Sequence, residues 1–197
     1  MAARAPTGRA GAVTGEDASK NLTAPIGVLI LPKAIVPKET ELKGEITIGQ
    51  GTVLHPSCKI IAENGPIVIG EGNIIEEKAI IRNRFPVGED GTRKTLYIGS
   101  RNLLEAYSVV EGSVGNNNSI LCKARIGPLT TISTGCVIGV MCSINSDETL
   151  APDTIIIGEH MTRRTAETPQ SPPFIEDHVE YLQKQLPTYH YILKSSV

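Results

Sequence analysis

The side chains best suited to chemistry in this chain are four histidines and four cysteines, because imidazole and thiolate groups bind zinc and imidazole acts as a general base near neutral pH. His55 lies in the first half of the chain, whereas His160, His178 and His190 lie near its C-terminus. No three of these histidines have a spacing that predicts a shared metal site. His55 is therefore the candidate base for a transfer reaction, but no Ser-His-Asp arrangement or glycine-rich phosphate loop accompanies it.

The elements that must position any site are set by a six-residue repeat over residues 30–157. Twenty hexads each begin with Ile, Leu or Val, and the register of the repeat shifts three times. Because only about a quarter of the chain is Ile, Leu or Val, chance does not account for this regularity. The leading residues are Ile30, Val36, Leu42, Ile48, Leu54, Ile60, Ile69, Ile75, Ile81, Ile98, Leu104, Val110, Val114, Ile120, Ile126, Ile132, Ile138, Ile144, Leu150 and Ile156.

The hexads have two further regularities that indicate a fold. The fifth place is mostly small or polar, and glycine often follows the leading residue, as at Gly49 and Gly70. This pattern is typical of a left-handed parallel β-helix, an all-β fold in which three hexads form one triangular coil and the leading and fifth residues point into the prism. We expect six to seven coils, with these glycines serving a positive φ or a tight corner.

Composition and charge argue against several classes of function, including nucleic-acid binding and membrane insertion. The net charge of −2 gives no electrostatic basis for binding nucleic acid or an anionic membrane. We recognise no signal peptide and no apolar run of the roughly 18 residues that a membrane-spanning helix requires. Cys58, Cys136 and Cys142 fall on inward fifth places, so we expect buried free thiols and a reducing, cytosolic compartment.

The chain divides into four regions. Residues 1–25 are rich in Ala, Gly, Thr and Ser and predict a disordered extension; their basic residues leave a mitochondrial presequence as an alternative. Residues 26–157 form the β-helix, with 26–35 covering its open end and 82–97 forming an excursion loop. Residues 158–173 are a charged, proline-rich connector. Residues 174–197 form a C-terminal α-helix and a tail that pack on the prism, and Pro187 predicts the end of the helix.

Two sets of polar residues recur at matching places in successive coils. Asn73, Asn102 and Asn118 align once the insertions are removed, which predicts a structural ladder of stacked, hydrogen-bonded amides along the prism axis. Glu76 and Glu105 lie one coil apart at an outward place and predict a small acidic strip. We take the two glutamates as candidate partner contacts, with a merely solvated face as the alternative.

The loop and the helix supply the remaining candidate partner contacts. Arg84 and Phe85 belong to the excursion loop, where we expect Phe85 to be exposed. Insertions at the corners of solenoids often carry binding functions, although a solvated loop without a partner is the alternative. On the C-terminal helix, the apolar residues at helical spacing include the candidates Val179, Leu182 and Leu186.

Residues 61–79 (Ile-Ala-Glu-Asn-Gly-Pro-Ile-Val-Ile-Gly-Glu-Gly-Asn-Ile-Ile-Glu-Glu-Lys-Ala) resemble the core of the γ-class carbonic anhydrases, which are hexapeptide-repeat trimers with zinc held by three histidines. The resemblance implies that the three zinc ligands of that family would fall at Arg82, Cys122 and Gly127. Arg82 and Gly127 offer no donor that zinc binds. We therefore expect no metal, no catalytic residue and no cofactor, that is, a protein that is not an enzyme.

A resemblance that covers the whole chain is to the dynactin subunit 6 family, and the chain is similar to a member from outside the animals. The matching motifs are residues 42–49, 52–56, 60–63, 65–73, 75–77 and 135–139, together with Leu-Pro-Thr-Tyr-His at 186–190. The resemblance implies a non-catalytic scaffold of the cytoplasm and cytoskeleton, in the pointed-end subcomplex of dynactin. It implies dynactin subunit 5, actin-related protein 11 and dynactin subunit 4 as partners, and dynein and cargo adaptors as indirect ones.

Two other functions stay open at this point. One is an enzyme, either a γ-carbonic-anhydrase relative with a relocated metal site or a hexapeptide acyltransferase that uses His55. The other is a mitochondrial β-helix scaffold similar to the γ-carbonic-anhydrase-like subunits of respiratory complex I.

Overall fold

The computed structural model describes residues 23–196. The predicted disordered extension, residues 1–25, thus lies almost entirely outside the described residues.

Nineteen short strands and one α-helix make up the described chain. The strands are β1 (Val28–Ile30), β2 (Glu41–Lys43), β3 (Ile46–Ile48), β4 (Val53–Leu54), β5 (Lys59–Ile61), β6 (Ile67–Ile69), β7 (Ile74–Ile75), β8 (Ile80–Arg82), β9 (Leu96–Ile98), β10 (Leu103–Leu104), β11 (Val109–Val110), β12 (Ser119–Ile120), β13 (Arg125–Ile126), β14 (Thr130–Ile132), β15 (Val137–Ile138), β16 (Ser143–Ile144), β17 (Glu148–Leu150), β18 (Thr154–Ile157) and β19 (Thr162–Thr165). The helix α1 spans Ile175–Tyr189.

The strands stack into the three faces of a triangular prism, and all pairs except β18 with β19 are parallel. Face A contains β1, β3, β6 and β9 and continues, through the bridging residue Val114, to β14 and β17. Face B contains β4, β7, β10, β12, β15, β18 and β19, and face C contains β2, β5, β8, β11, β13 and β16. The predicted left-handed parallel β-helix with one C-terminal helix is confirmed, with about seven coils.

The prism is filled by the residues that the hexads single out. All twenty leading residues are buried, the most exposed being Leu42 at 8 %. Fifth-place residues such as Thr52 and Cys136 are fully buried beside them. The Thr52 hydroxyl donates to the Gly70 carbonyl of the next coil at 2.7 Å, so an inward polar residue also ties neighbouring coils together.

The glycines that follow the leading residues serve a tight corner, as one of the two predicted roles, and not a positive φ. Neither Gly49 nor Gly70 has a positive φ. A Cβ atom at Gly49 would instead lie 2.1 Å from the Gly70 carbonyl oxygen, because successive coils approach closely at this corner. Left-handed corner positions are taken largely by residues with side chains, including Ser57 and Lys78.

The helix α1 covers part of face B. Ile175, Leu182 and Leu186 are buried in a cluster with Val53 and Ile74, the outward apolar residues of β4 and β7. The prediction that Pro187 ends the helix is wrong, since α1 continues to Tyr189. A proline in the last turn removes only one backbone hydrogen bond, and the turn is retained by the His190 amide, which donates to the Leu186 carbonyl at 2.9 Å.

The C-terminal tail and residues 158–173 close the two ends of the prism, although the sequence predicted other roles for them. Residues 28–30 form the first strand, while the C-terminal tail covers the open edge of the first coil: the Leu193 amide donates to Val36 and the Ser196 amide to Ile30. At the other end, the predicted connector 158–173 contains β19, which pairs antiparallel with β18. Unpaired strand edges recruit other chains, so both segments protect an edge.

Candidate interaction surface

The positions that correspond to zinc ligands in the γ-carbonic anhydrases do not form a ligand set here. The strand register places Arg82, Glu111 and Gly127 in one column along an edge of face C, whereas Cys122 follows β12 of face B. Arg82 lies 4.0 Å from the carboxylate of Glu111, and a Cβ atom at Gly127 would lie 2.1 Å from the Asn145 side chain. Within residues 23–196, no group of three or more His, Cys, Asp and Glu is arranged to hold a metal ion.

The three predicted ladder asparagines lie together at one corner of the prism and are fully buried. The Asn102 side-chain amide donates to Asn73 Oδ1 at 3.0 Å, and the Asn118 side-chain amide donates to Asn102 Oδ1 at the same distance. Each asparagine also accepts from the backbone amide of the next coil, and the Cys136 amide continues the series at 2.7 Å from Asn118 Oδ1. The amides therefore connect four consecutive coils with every side-chain oxygen satisfied.

The carboxylates of Glu76 and Glu105 accept hydrogen bonds from the backbone of the prism itself. Glu76 Oε2 accepts from the Ala106 amide at 3.0 Å, and Glu105 Oε2 accepts from the Cys122 amide at 2.8 Å. Each carboxylate is half-buried and satisfies an amide of the following coil, at the corner between faces B and C. One oxygen of each carboxylate in the predicted acidic strip is therefore used to join successive coils.

The excursion loop is fixed to the prism rather than free. Asn83, which sequence reasoning did not single out, is fully buried, and its side-chain amide donates to the carbonyls of Pro66 and Lys94 at 2.9 and 2.8 Å. The prediction that Phe85 is exposed is wrong, because its ring packs against the core of the prism. Arg84 is exposed and pairs with Glu63 at 3.3 Å.

The helix residues taken as candidate partner contacts are used by the chain itself. Leu182 and Leu186 are 6 % and 9 % exposed against face B, and Val179 packs at the edge of the same cluster. The apolar outward residues Val53 and Ile74 explain this arrangement, since leaving them uncovered would expose an apolar strip to water. A partner could contact Leu182 and Leu186 only after α1 had left the prism, whereas Val179 is partly exposed on the docked helix.

His55 is outward of the prism, as expected, but it is not a free surface histidine. The ring follows β4 beneath the C-terminal helix, and its Nε2 atom is buried without a hydrogen-bond partner among the described residues. Burial lowers the pKa of His55, while the nearby Glu77 carboxylate opposes that effect. A catalytic base must reach its substrate, and the buried Nε2 atom of this ring is closed to one.

Face C is a charged face whose charges pair among themselves. Glu41 contacts Lys43 at 2.5 Å and Lys59 at 2.7 Å, and these hydrogen bonds lower the pKa of Glu41 to about 2. Farther along, the Glu111 carboxylate lies 3.5 Å from the Arg84 guanidinium. Exposed ion pairs of this kind contribute little to stability and are typical of a solvated surface.

Face A, like face C, is not covered by α1, and its outward residues form a mostly apolar row. The outward residues Leu29, Thr47, Val68 and Tyr97 lie in register in four successive coils. Leu29 is 39 % exposed and Tyr97 57 % exposed. Beyond Tyr97 the row opens into a shallow groove of about 590 Å³, between the excursion loop and residues that include Leu129. Aromatic and aliphatic side chains on a flat, rigid face are typical of a protein-binding surface.

Comparisons with known proteins agree with this geometry. No protein-family model matches the chain. It is 40 % identical over 178 residues to "Dynactin subunit 6" of Xenopus tropicalis, covering 87 % of this chain and 88 % of the relative. It is 40 % identical over 168 residues to the protein of the same name from Nematostella vectensis, covering 83 % and 90 %. The chain belongs to the dynactin subunit 6 family. A relative in Dictyostelium discoideum, 33 % identical with 91 % and 93 % covered, extends this family beyond animals.

A solved structure supports the fold independently of the family. The hexapeptide transferase family protein of Anaplasma phagocytophilum superimposes with a TM-score of 0.62 at 14 % identity, covering 82 % of this chain and 88 % of that one. At this identity the likeness shows the fold alone. The dynactin subunit 6 relatives, in contrast, match 87 % and 91 % of this chain at 40 % and 38 % identity. No helix within residues 23–196 is long and apolar enough to cross a membrane.

Proposed function

We propose that the chain is a non-catalytic scaffold subunit of the dynactin complex. The carrying observation is the 40 % identity to a protein named dynactin subunit 6 over 87 % of this chain and 88 % of that relative. The corners that hold zinc in the γ-carbonic anhydrases carry an arginine, a cysteine and a glycine, and the one histidine of the repeat lies beneath α1. Both observations favour a scaffold over an enzyme.

Within dynactin, we place the chain in the pointed-end subcomplex, with dynactin subunit 5 as its direct partner and with actin-related protein 11 and dynactin subunit 4 close by. Face A is the surface proposed for the contact with subunit 5. It is flat, it is not covered by the chain's own helix, and its apolar row supplies area that a second β-helix could bury. The proposed location is the cytoplasm and cytoskeleton, where dynactin supports dynein-dependent transport of cargo along microtubules.

Affinity purification tests the proposal. The tagged chain, expressed in the cells from which it comes, is expected to co-purify with the other dynactin subunits and to sediment with the complex. The variant Tyr97→Glu places a charge in the apolar row and is expected to reduce recovery of subunit 5 at least fivefold, because a buried unpaired charge is costly. Tyr181→Glu is the matched control, since Tyr181 on the outer side of α1 is 59 % exposed, close to the 57 % of Tyr97.

Three results would contradict the proposal. Purification as a homotrimer without other dynactin subunits would favour the enzyme families of this fold. Stoichiometric zinc with carbon dioxide hydration by the purified chain would do the same. Equal recovery of subunit 5 by the Tyr97 and Tyr181 variants would leave the family role in place but remove face A as the contact.

A further inference from the structure

The contact between α1 and face B has an unusual polar component. Most of the contact is the apolar cluster of Ile175, Leu182 and Leu186 with Val53 and Ile74. His55, two residues beyond Val53 on the same outward side of the strand, extends this contact towards the corner of the prism. Its Nε2 atom is shielded from solvent and has no hydrogen-bond partner among the described residues. A neutral imidazole tolerates such a place, whereas an imidazolium would need a hydrogen-bond acceptor there.

The groups that act on His55 come from each element around it. His178 of α1 and His190 at the end of the helix both oppose a positive charge on the ring, whereas Glu77, which follows β7, favours one. His190 in turn lies 3.7 Å from the carboxylate of Glu39. Burial is the largest influence, and it acts against the charged form. The docked helix therefore favours neutral His55, which is flanked by His178 and His190.

We propose that protonation of His55 loosens the helix α1 from face B when the pH falls from neutral to mildly acidic values. Charging the ring requires an N–H group at the buried Nε2 atom, which has no acceptor among the described residues and lies near two other imidazoles. Release of the helix relieves this cost because the Nε2 atom then reaches water. The same release uncovers Val53 and Ile74 on the prism and the apolar side of α1, so acidification would expose a new apolar surface. This inference is independent of membership in dynactin.

The direction of the pH dependence follows from linkage. A histidine whose pKa is lowered in the docked state binds fewer protons than the same histidine after release. Docking is therefore fully stable above the ordinary pKa of about 6.5 and weakens as the pH falls below it. A histidine whose pKa was raised by docking would produce the opposite trend.

Hydrogen exchange of the helix amides tests the proposal with the full chain. Protection factors for residues 179–186, each normalised to the intrinsic exchange rate at its own pH, are compared at pH 7.5 and pH 5.0. In the unmodified chain we expect protection to be at least about threefold lower at pH 5.0, while protection of the strand amides of face C stays constant. The variant His55→Gln keeps a polar side chain that does not titrate and is expected to lose most of this pH dependence.

His160→Gln is the matched control, because His160 is exposed in the turn between β18 and β19 and should leave the pH dependence intact. An unchanged pH dependence in His55→Gln would overturn the proposal, as would helix protection that does not fall in acid. A second measurement does not require a variant to fold. Proton NMR titration of the His55 ring is expected to give a pKa below 6.5, and a value at or above 6.5 would also overturn it.

Discussion

Replacement of Asn102 by alanine gives the most direct test of how the coils are held together. The Asn102 side chain makes four hydrogen bonds within the prism. It donates to the Gly115 carbonyl at 2.8 Å and to Asn73 Oδ1 at 3.0 Å. It accepts from the Asn118 backbone amide at 2.8 Å and from the Asn118 side-chain amide at 3.0 Å. Asn102→Ala deletes all four while leaving the aliphatic core untouched.

The expected loss of stability follows from the polar groups that lose their hydrogen-bond partners in the substitution. Asn73 Oδ1 keeps the Asn102 backbone amide as a donor, so it stays satisfied. The Gly115 carbonyl and the two amide groups of Asn118 lose these contacts. A buried polar group without a partner costs about 1–3 kcal/mol, so three such groups predict a loss of at least about 3 kcal/mol. The loss would approach 9 kcal/mol only if no water entered the space that the side chain leaves.

Chemical denaturation followed by circular dichroism measures the loss, and hydrogen exchange locates it. Solenoids can open between neighbouring repeats, so we expect faster exchange first at the amides of Asn118 and Cys136, which belong to the two coils beyond the substitution. Asn145→Ala is the control, because Asn145 is exposed and lies outside the ladder. A loss below about 1 kcal/mol for Asn102→Ala, or equal losses for the two variants, would refute the view that the ladder holds the coils together.

Three further predictions concern the helix, the thiols and the C-terminal end of the prism. Leu182→Ala should lower the free energy of unfolding of the helix by about 2–4 kcal/mol, measured by hydrogen exchange of α1, because this buried leucine is central to the contact with face B. Burial raises the pKa of the Cys58 thiol to about 12, so iodoacetamide at pH 8 should label half-buried Cys122 well before Cys58, as read by mass spectrometry. Hydrogen bonds from Arg163 hold the pKa of Glu148 at about 2. The contact between β17 and β19 should therefore persist above pH 4.5 and weaken as the pH falls towards 2. In Arg163→Met, ¹³C NMR should show the pKa of the Glu148 carboxyl group returning towards 4.5.

The interior of the prism could be predicted from the sequence because it depends on local spacing. A leading aliphatic residue every sixth position determines which side chains face inward, and this requires no knowledge of distant parts of the chain. The same counting aligned Asn73 with Asn102 across an insertion, and the structure brings their side chains within hydrogen-bond distance. The glycines were assigned correctly to tight corners, but which coil approaches them is a property of two segments and cannot be predicted from one.

The surface could not be predicted in the same way, since it depends on which distant segment comes to lie on which face. Nothing near His55 in the sequence indicates that a helix more than a hundred residues later covers it. Asn83 likewise gains its role only when the excursion loop returns to the prism at Lys94. Its one local signal was its place two residues after the leading Ile81, because alternate residues of an extended segment point to the same side.

The strongest structural argument for a partner on face A comes from which surfaces of the prism the chain covers with its own segments. The chain places α1 over the apolar residues of face B, its C-terminal tail over the first coil and β19 over the last strand of face B. Face C has paired charges that water solvates. Face A has an apolar row with Tyr97 more than half exposed, yet no segment within residues 23–196 covers it. An apolar row on a flat face that no described segment covers has the arrangement expected if face A is completed by another protein.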